Sequence, residues 1–302
     1  MRKRALTVFA SSLGLLALTS IGRADDITSG HSQLETMDTH EVKQELKISS
    51  GFTYIGEADF DTGAFGDVEV WRADLRGRYI MGTEHGDLGL GAIYEYSHYD
   101  LDTAFSSSDF DMNTLAFDAY WKGMFDEKWG YFVYGAVQAS ADSDENLLDG
   151  VTGVGALGGR YVYSEDLNFG LGFAVASRLE DDASIMPVII VNWHFAERWN
   201  LHVLNGASIS YDLTEEKDWV VDLGVRYQRR EYRAGSSDSS FIDKQVGIEL
   251  GLTYRACESF SVRGFVGVAT GREFEVRNDD HKVVDDDVDT APMFGIRANL
   301  SF

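Results

Sequence analysis

Cysteine and proline are almost missing from this chain, with one Cys and two Pro in 302 residues. The lone Cys257 has no partner for an internal disulfide, and its plain reading is a turn residue rather than a reactive thiol. Basic residues are scarce too: 26 Lys and Arg stand against 50 Asp and Glu, a net charge of −24. So acidic a surface excludes nucleic acid as a partner. Past residue 24 no stretch approaches 18 consecutive apolar residues, which excludes a transmembrane helix. The twelve-position calcium loop with its glycine and closing glutamate is missing as well, and neither a cofactor nor a resident metal is expected. What remains suits long twisted strands better than helices: 31 Gly, 13% aromatics and hardly any proline.

The chain opens with Arg2, Lys3 and Arg4, continues through an apolar run from Ala5 to Ile21, and reaches the small residues Gly22 and Ala24 before Asp25. This is the pattern of a secretory signal peptide, residues 1–24. Without it, 22 basic residues face 50 acidic ones, a net charge of about −28. Residues 25–41 are polar and aperiodic, a flexible periplasmic lead-in. Residues 42–302 read as one all-β domain.

Alternation is clearest at 68–81, where Trp71, Ala73, Leu75, Gly77, Tyr79 and Met81 interleave with Arg72, Asp74, Arg76 and Arg78. Successive side chains on a strand point to opposite faces, so one face is apolar and the other charged. The same period recurs at 42–56, 88–99, 112–125, 129–141, 151–163, 167–179, 185–195, 219–231, 244–255, 260–271 and 290–302. A short hairpin at 199–213, turning at Asn205-Gly206, brings the expected total to fourteen strands. Twelve, with an irregular excursion at 199–213, is the alternative.

Connections fall into two kinds. Short acidic turns precede an aromatic or Leu: 126–128 before Trp129, 164–166 before Leu167, 196–198 before Trp199, 215–218 before Trp219 and 257–259 before Phe260. Long acidic ones lie between them, at 57–67, 100–111, 142–150, 232–243 and 273–289.

The final stretch, Thr290–Phe302, alternates Phe294, Ile296, Ala298, Leu300 and Phe302 with Gly295, Arg297, Asn299 and Ser301. Here the sequence resembles the bacterial outer-membrane β-barrels, whose last strand ends in Phe. The resemblance implies a transmembrane antiparallel up-and-down β-barrel, apolar toward lipid and polar toward a lumen. It also implies export to the outer membrane and recognition of Phe294, Ile296, Leu300 and Phe302 by the barrel-assembly machinery. Outer-membrane lipid and lipopolysaccharide would then cover the exterior. The short turns would be periplasmic, with Trp129, Trp199, Trp219 and Phe260 as an aromatic girdle. The segment Trp193–Arg233 is similar to a family of outer-membrane barrel proteins of unknown function, which implies a barrel and no activity. A secreted soluble β-sandwich is the alternative fold.

The inward parity collects Arg72, Asp74, Arg76, Arg78, Glu95, Asp118, Lys122, Arg160, Arg178, Asp222, Arg226, Arg230, Glu249, Arg263 and Arg297. Such charges either line water or pair across the barrel. The functional expectation is a passive, porin-like channel for small hydrophilic solutes, with a closed structural or surface-display barrel as the alternative. No catalytic residue is assigned. A rim-located hydrolase would rest on His98, near Asp100, Asp102 and Ser106–Ser108. His194 and His202 share inward parity around one turn.

Overall fold

The computed structural model describes residues 44–62, 66–102, 107–204, 206–235, 239–278 and 281–302. The expected signal peptide and lead-in lie outside these, as do His31, His40, Ser106, Asn205, Asp279 and Asp280. The first strands are β1 (Gln44–Asp59), β2 (Asp67–Thr83), β3 (Gly86–Asp102), β4 (Ser107–Met124) and β5 (Trp129–Asp142). After a 3-10 turn at Leu147–Gly150 come β6 (Val151–Ser164), β7 (Leu167–Ala176), β8 (Ser184–Ala196), β9 (Trp199–Val203) and β10 (Ala207–Asp212). The chain ends with β11 (Trp219–Arg233), β12 (Ser239–Cys257), β13 (Phe260–Asn278), β14 (His281–Val288) and β15 (Ala291–Ser301).

Neighbours in sequence pair antiparallel from β1 to β13, and β15 pairs with both β13 and β1, so the sheet closes on itself. β14 prolongs the last strand upward along β13 and meets β1 through the Phe60–Val288 bridge. Fifteen strands therefore make fourteen staves of an antiparallel barrel. The twelve-strand alternative fails because β9 and β10 pair with each other and with the flanking β8 and β11. The sandwich alternative fails because no sheet edge is left to make a second layer.

The exterior carries large exposed apolar side chains around the ring, among them Leu75, Leu90, Phe117, Leu171, Val266 and Ile296, each at least half exposed. An apolar outer band over a polar interior inverts the arrangement of a water-soluble β-domain. At the short-turn end the chain reverses tightly. The Asp126 carboxylate accepts the amides of Lys128 and Trp129, both at 2.8 Å. Such a side-chain cap closes a two-strand corner without glycine.

Three of the expected long loops, 100–111, 232–243 and 273–289, are largely strand among the described residues, and the first, 57–67, is strand at its two ends. β1 runs to Asp59, β3 to Asp102, β11 to Arg233, and the segment 273–289 is the β13–β14 hairpin. These ends stand above the apolar band, where both faces meet water or other protein. The two-residue pattern that marks a strand with one apolar outer face is lost there while backbone pairing continues.

Stave lengths are very unequal, and this shapes the site. β12 and β13 have 19 residues each, whereas β9 has five and β10 six. Beyond Val225 the edge of β11 has outrun its β10 partner. It leans across the ring instead and pairs parallel with β5 at Arg233–Ala141. At that level the ring consists of β1–β5, β11–β13 and β14, nine strands; β6–β10 stop below. Barrel diameter grows with strand number, and about eight strands enclose just enough room for side chains. The outer tier is thus narrow enough for side chains from all its strands to meet, and the fourteen-stave tier is broader.

Candidate functional site: a plugged lumen

The outer tier is filled. Ile55, Phe60, Val68, Val70, Tyr99, Met112, Tyr232, Phe241 and Phe274 form one buried cluster drawn from strands all round the ring. Tyr99 stands at its centre, edge-on to Tyr232, Phe241 and Phe274 at 5.2–6.2 Å, a geometry that aligns ring edges with ring faces.

Ion pairs cross the lumen through this cluster. Arg72 on β2 pairs with Asp243 on β12, and Tyr99 donates to the same carboxylate at 2.8 Å. Arg230 on β11 pairs with Glu95 on β3 at 3.2 Å, and Tyr232 donates to Ser97 at 3.4 Å. Arg72 and Asp243 are 3% and 1% exposed, so each needs the other: a buried charge without its partner carries a large desolvation cost. Strands on opposite sides of the wall are thereby tied together.

The connection from Arg178 to Glu180 clasps the outer face of β11. Arg178 pairs with Glu231 at 3.3 Å, the Leu179 amide donates to Glu231 at 3.0 Å, and Arg233 reaches Glu180 at 2.5 Å. Arg178 was assigned to the seventh strand, but β7 ends at Ala176 and Arg178 lies in this clasp. The 3-10 turn seats against β5 so closely that a Cβ on Gly150 would come within 1.8 Å of the Ser140 carbonyl oxygen.

In the wider tier one wall is charged and internally paired. Arg76 donates to Asp74 at 2.9 Å, with Arg297 3.7 Å from the same carboxylate, and Arg78 donates to Asp118 at 2.8 Å. Arg263 forks onto Asp222 at 3.0 and 2.6 Å and reaches Glu249 at 3.2 Å. Lys122 lies 3.5 Å from Asp87, and Arg226 is half-buried on the inward parity of β11. Every member of the arginine ladder at 72, 76 and 78 thus has its own carboxylate. The opposite wall is apolar: the Phe132 ring lies over Gly158 and Gly172, beside Tyr134, Ala156, Ala174, Val188, Ile190 and Leu204. Below it, Asn192 joins Asn168 at 3.0 Å to His202, and His194 bonds Asn200 at 2.6 Å.

Trp129, Trp199, Trp219 and Phe260 begin β5, β9, β11 and β13 and are exposed at the short-turn end. Three of them pack at a tilt against a tyrosine of the next strand: Tyr161, Tyr211 and Tyr254, with ring centroids 4.6–4.8 Å apart. Phe294, Ile296 and Leu300 lie along the closing seam opposite Tyr54, Phe52 and Ile48, and Phe302 exchanges backbone hydrogen bonds with Leu46.

His98 faces outward. Its carboxylate partner is Asp111, 2.7 Å away across the β3–β4 ladder, rather than Asp100 or Asp102. Its ring packs on Trp71 at 5.3 Å. The carboxylates of Glu273, Glu275 and Asp285 converge within 4.8 Å of one another. Lys244 already lies 2.7 Å from both glutamates and Lys282 2.6 Å from Asp285, so ammonium groups occupy that cluster.

Asp243, Tyr99, Tyr232 and Arg272 were not among the sequence-derived site residues. The one available signal lay in β11, where Arg229, Glu231 and Arg233 carry charge on the parity of the exposed, outward-facing Leu223 and Val225.

These features define a closed antiparallel β-barrel with an apolar exterior and a plugged upper lumen. The chain belongs to the family described as "Domain of unknown function (DUF6268)", whose profile matches residues 134–298, more than half of its length. No curated protein matches it. Among solved structures it is similar to the toluene transporter TodX of Pseudomonas putida, at 10% identity and a TM-score of 0.47, over 87% of this chain and 90% of that one. It is similar also to the COG4313 outer membrane channel from Pseudomonas putida F1, at 11% identity and a TM-score of 0.44, over 88% and 99%. A third likeness is to the KdgM porin, at 12% identity and 0.35, over 84% and 99%. The fold rests on this chain's own strand pairing, to which such distant likenesses add nothing.

Proposed function

We propose that this protein is an outer-membrane β-barrel of channel type, shut at its outer end in this conformation. The solutes would be small and hydrophilic, and their path would run through the fourteen-stave tier. One observation carries the proposal: fourteen staves close around ion-paired charges on one wall and an apolar wall opposite, whereas nine close around a solid aromatic cluster. In this reading the short turns face the periplasm, the exposed apolar belt meets outer-membrane lipid, and lipopolysaccharide surrounds the longer hairpins. The barrel-assembly machinery reads the seam at Phe294, Ile296, Leu300 and Phe302. Residues 1–24 direct export.

Passage requires the Arg72–Asp243 and Arg230–Glu95 bonds to part. They hold β2 and β3 to β11 and β12, so their release frees the leaning end of β11. A permanently closed structural barrel is the second reading, favoured by the density of the aromatic cluster around Tyr99. A rim hydrolase has less support, because the His98–Asp111 pair faces away from the lumen.

Proteoliposomes containing the refolded mature chain test this. Uptake of small sugars and amino acids should be slow in the parent and several-fold faster when Asp243→Asn and Glu95→Gln are combined, since three guanidiniums then repel one another inside the plug. A folded double variant that takes up nothing would leave the closed structural barrel as the function.

A further inference from the structure

Arg272 is the one large side chain of the plug whose charge the plug itself leaves unmet. It follows the bulge at Gly271, whose positive φ of 55° suits glycine, and the bulge turns Arg272 and Phe274 into the lumen. The residue is 1% exposed. None of its three guanidinium nitrogens has a hydrogen-bond partner, and it forms no ion pair with any described residue. Its contact is with the Phe274 ring, 5.5 Å from the centroid. Asp243, Arg72 and Tyr99 lie within electrostatic reach, but Arg72 and Tyr99 share one oxygen of Asp243, and its other oxygen makes no hydrogen bond to Arg272. Of the arginines that reach across the plug, Arg72 and Arg230 each hold a carboxylate, Asp243 and Glu95, and Arg272 holds none.

A buried guanidinium left with neither hydrogen bonds nor counter-charge is far costlier than a paired one. Water can supply the hydrogen bonds but not the charge. A small anion supplies both, and several N–H donors in one rigid plane suit it.

We propose that the plug contains a buried binding site for a small monovalent anion of the chloride class, held by Arg272 between β12, β13 and β2. An anion there gives Arg272 its missing counter-charge and fixes the outer tier in its closed arrangement. The proposal does not depend on whether the barrel conducts.

Bromide is the probe. Crystals of the refolded, detergent-solubilised mature chain soaked in sodium bromide should show an anomalous peak within hydrogen-bond distance of the Arg272 guanidinium. In solution, the thermal unfolding midpoint should be higher in sodium chloride than in sodium gluconate at equal ionic strength. Arg272→Gln should remove both the peak and the chloride dependence. Arg272→Lys, which keeps the charge, should retain a weakened form of each. If Arg272→Gln does not fold, the parent protein still decides the matter through its own peak and its own salt comparison. Ordered water alone bridging Arg272 to the second oxygen of Asp243, with midpoints equal in the two salts, overturns the proposal.

Discussion

Asp243→Asn isolates the cross-lumen tie. In the parent, the buried carboxylate accepts from Arg72 and from Tyr99. The asparagine keeps the shape but not the charge, so Arg72 is left buried without its carboxylate. Removing one partner of a buried pair costs about 3–5 kcal/mol. The amide oxygen still accepts one hydrogen bond, which places the expected loss near the lower end, about 3 kcal/mol. For a chain of this size that corresponds to a fall of roughly 6–12 °C in the unfolding midpoint. Heat-modifiable gel migration of the refolded barrel, read across a temperature series, measures it. Arg72→Gln/Asp243→Asn loses both charges and leaves the plug's net charge at the parental value, so most of the loss should return. A single variant that melts with the parent, or a double variant no better than the single, refutes the argument that this pair ties β2 to β12.

Other consequences are open to test in the same system. Deleting Phe302 removes the last backbone bonds to Leu46 at the seam, and the expected product is periplasmic, protease-sensitive chain; normal surface exposure of the deletion would count against the seam as an assembly signal. Tags at Asp144 should be reached on intact cells, whereas tags at Glu127, Glu165, Glu216 and Glu258 should not, because all four lie at the short-turn end. Gly150→Val drives a side chain into the Ser140 carbonyl; it should loosen the β5–β11 contact and raise solute uptake while the barrel still folds.

Much of the wall was legible in the sequence, because an apolar exterior against a charged interior imposes a strict two-residue period. Trp71 to Met81 against Arg72 to Arg78 shows it plainly, and the short turns before Trp129, Trp199 and Trp219 set the strand number. The plug was not legible. It arises from a difference in strand length: β9 and β10 stop early, so β11 loses a neighbour and leans to β5. Nothing local in Tyr99, Tyr232 or Asp243 records that event. The charges of Arg229, Glu231 and Arg233 on an otherwise apolar, outward-facing parity mark the place where β11 leaves the wall. The acidic stretch 273–289 looked like a loop because its hairpin has no apolar outer face.

The central claim is that the nine-strand tier closes a barrel that is otherwise wide enough to conduct. Single-channel recording in a planar bilayer addresses it most directly, comparing the refolded parent with Asp243→Asn/Glu95→Gln. The expected result is a closed baseline with brief openings for the parent and long-lived open states for the variant. A parent that conducts steadily, with the same conductance as the variant, would contradict the claim that the plug is the barrier.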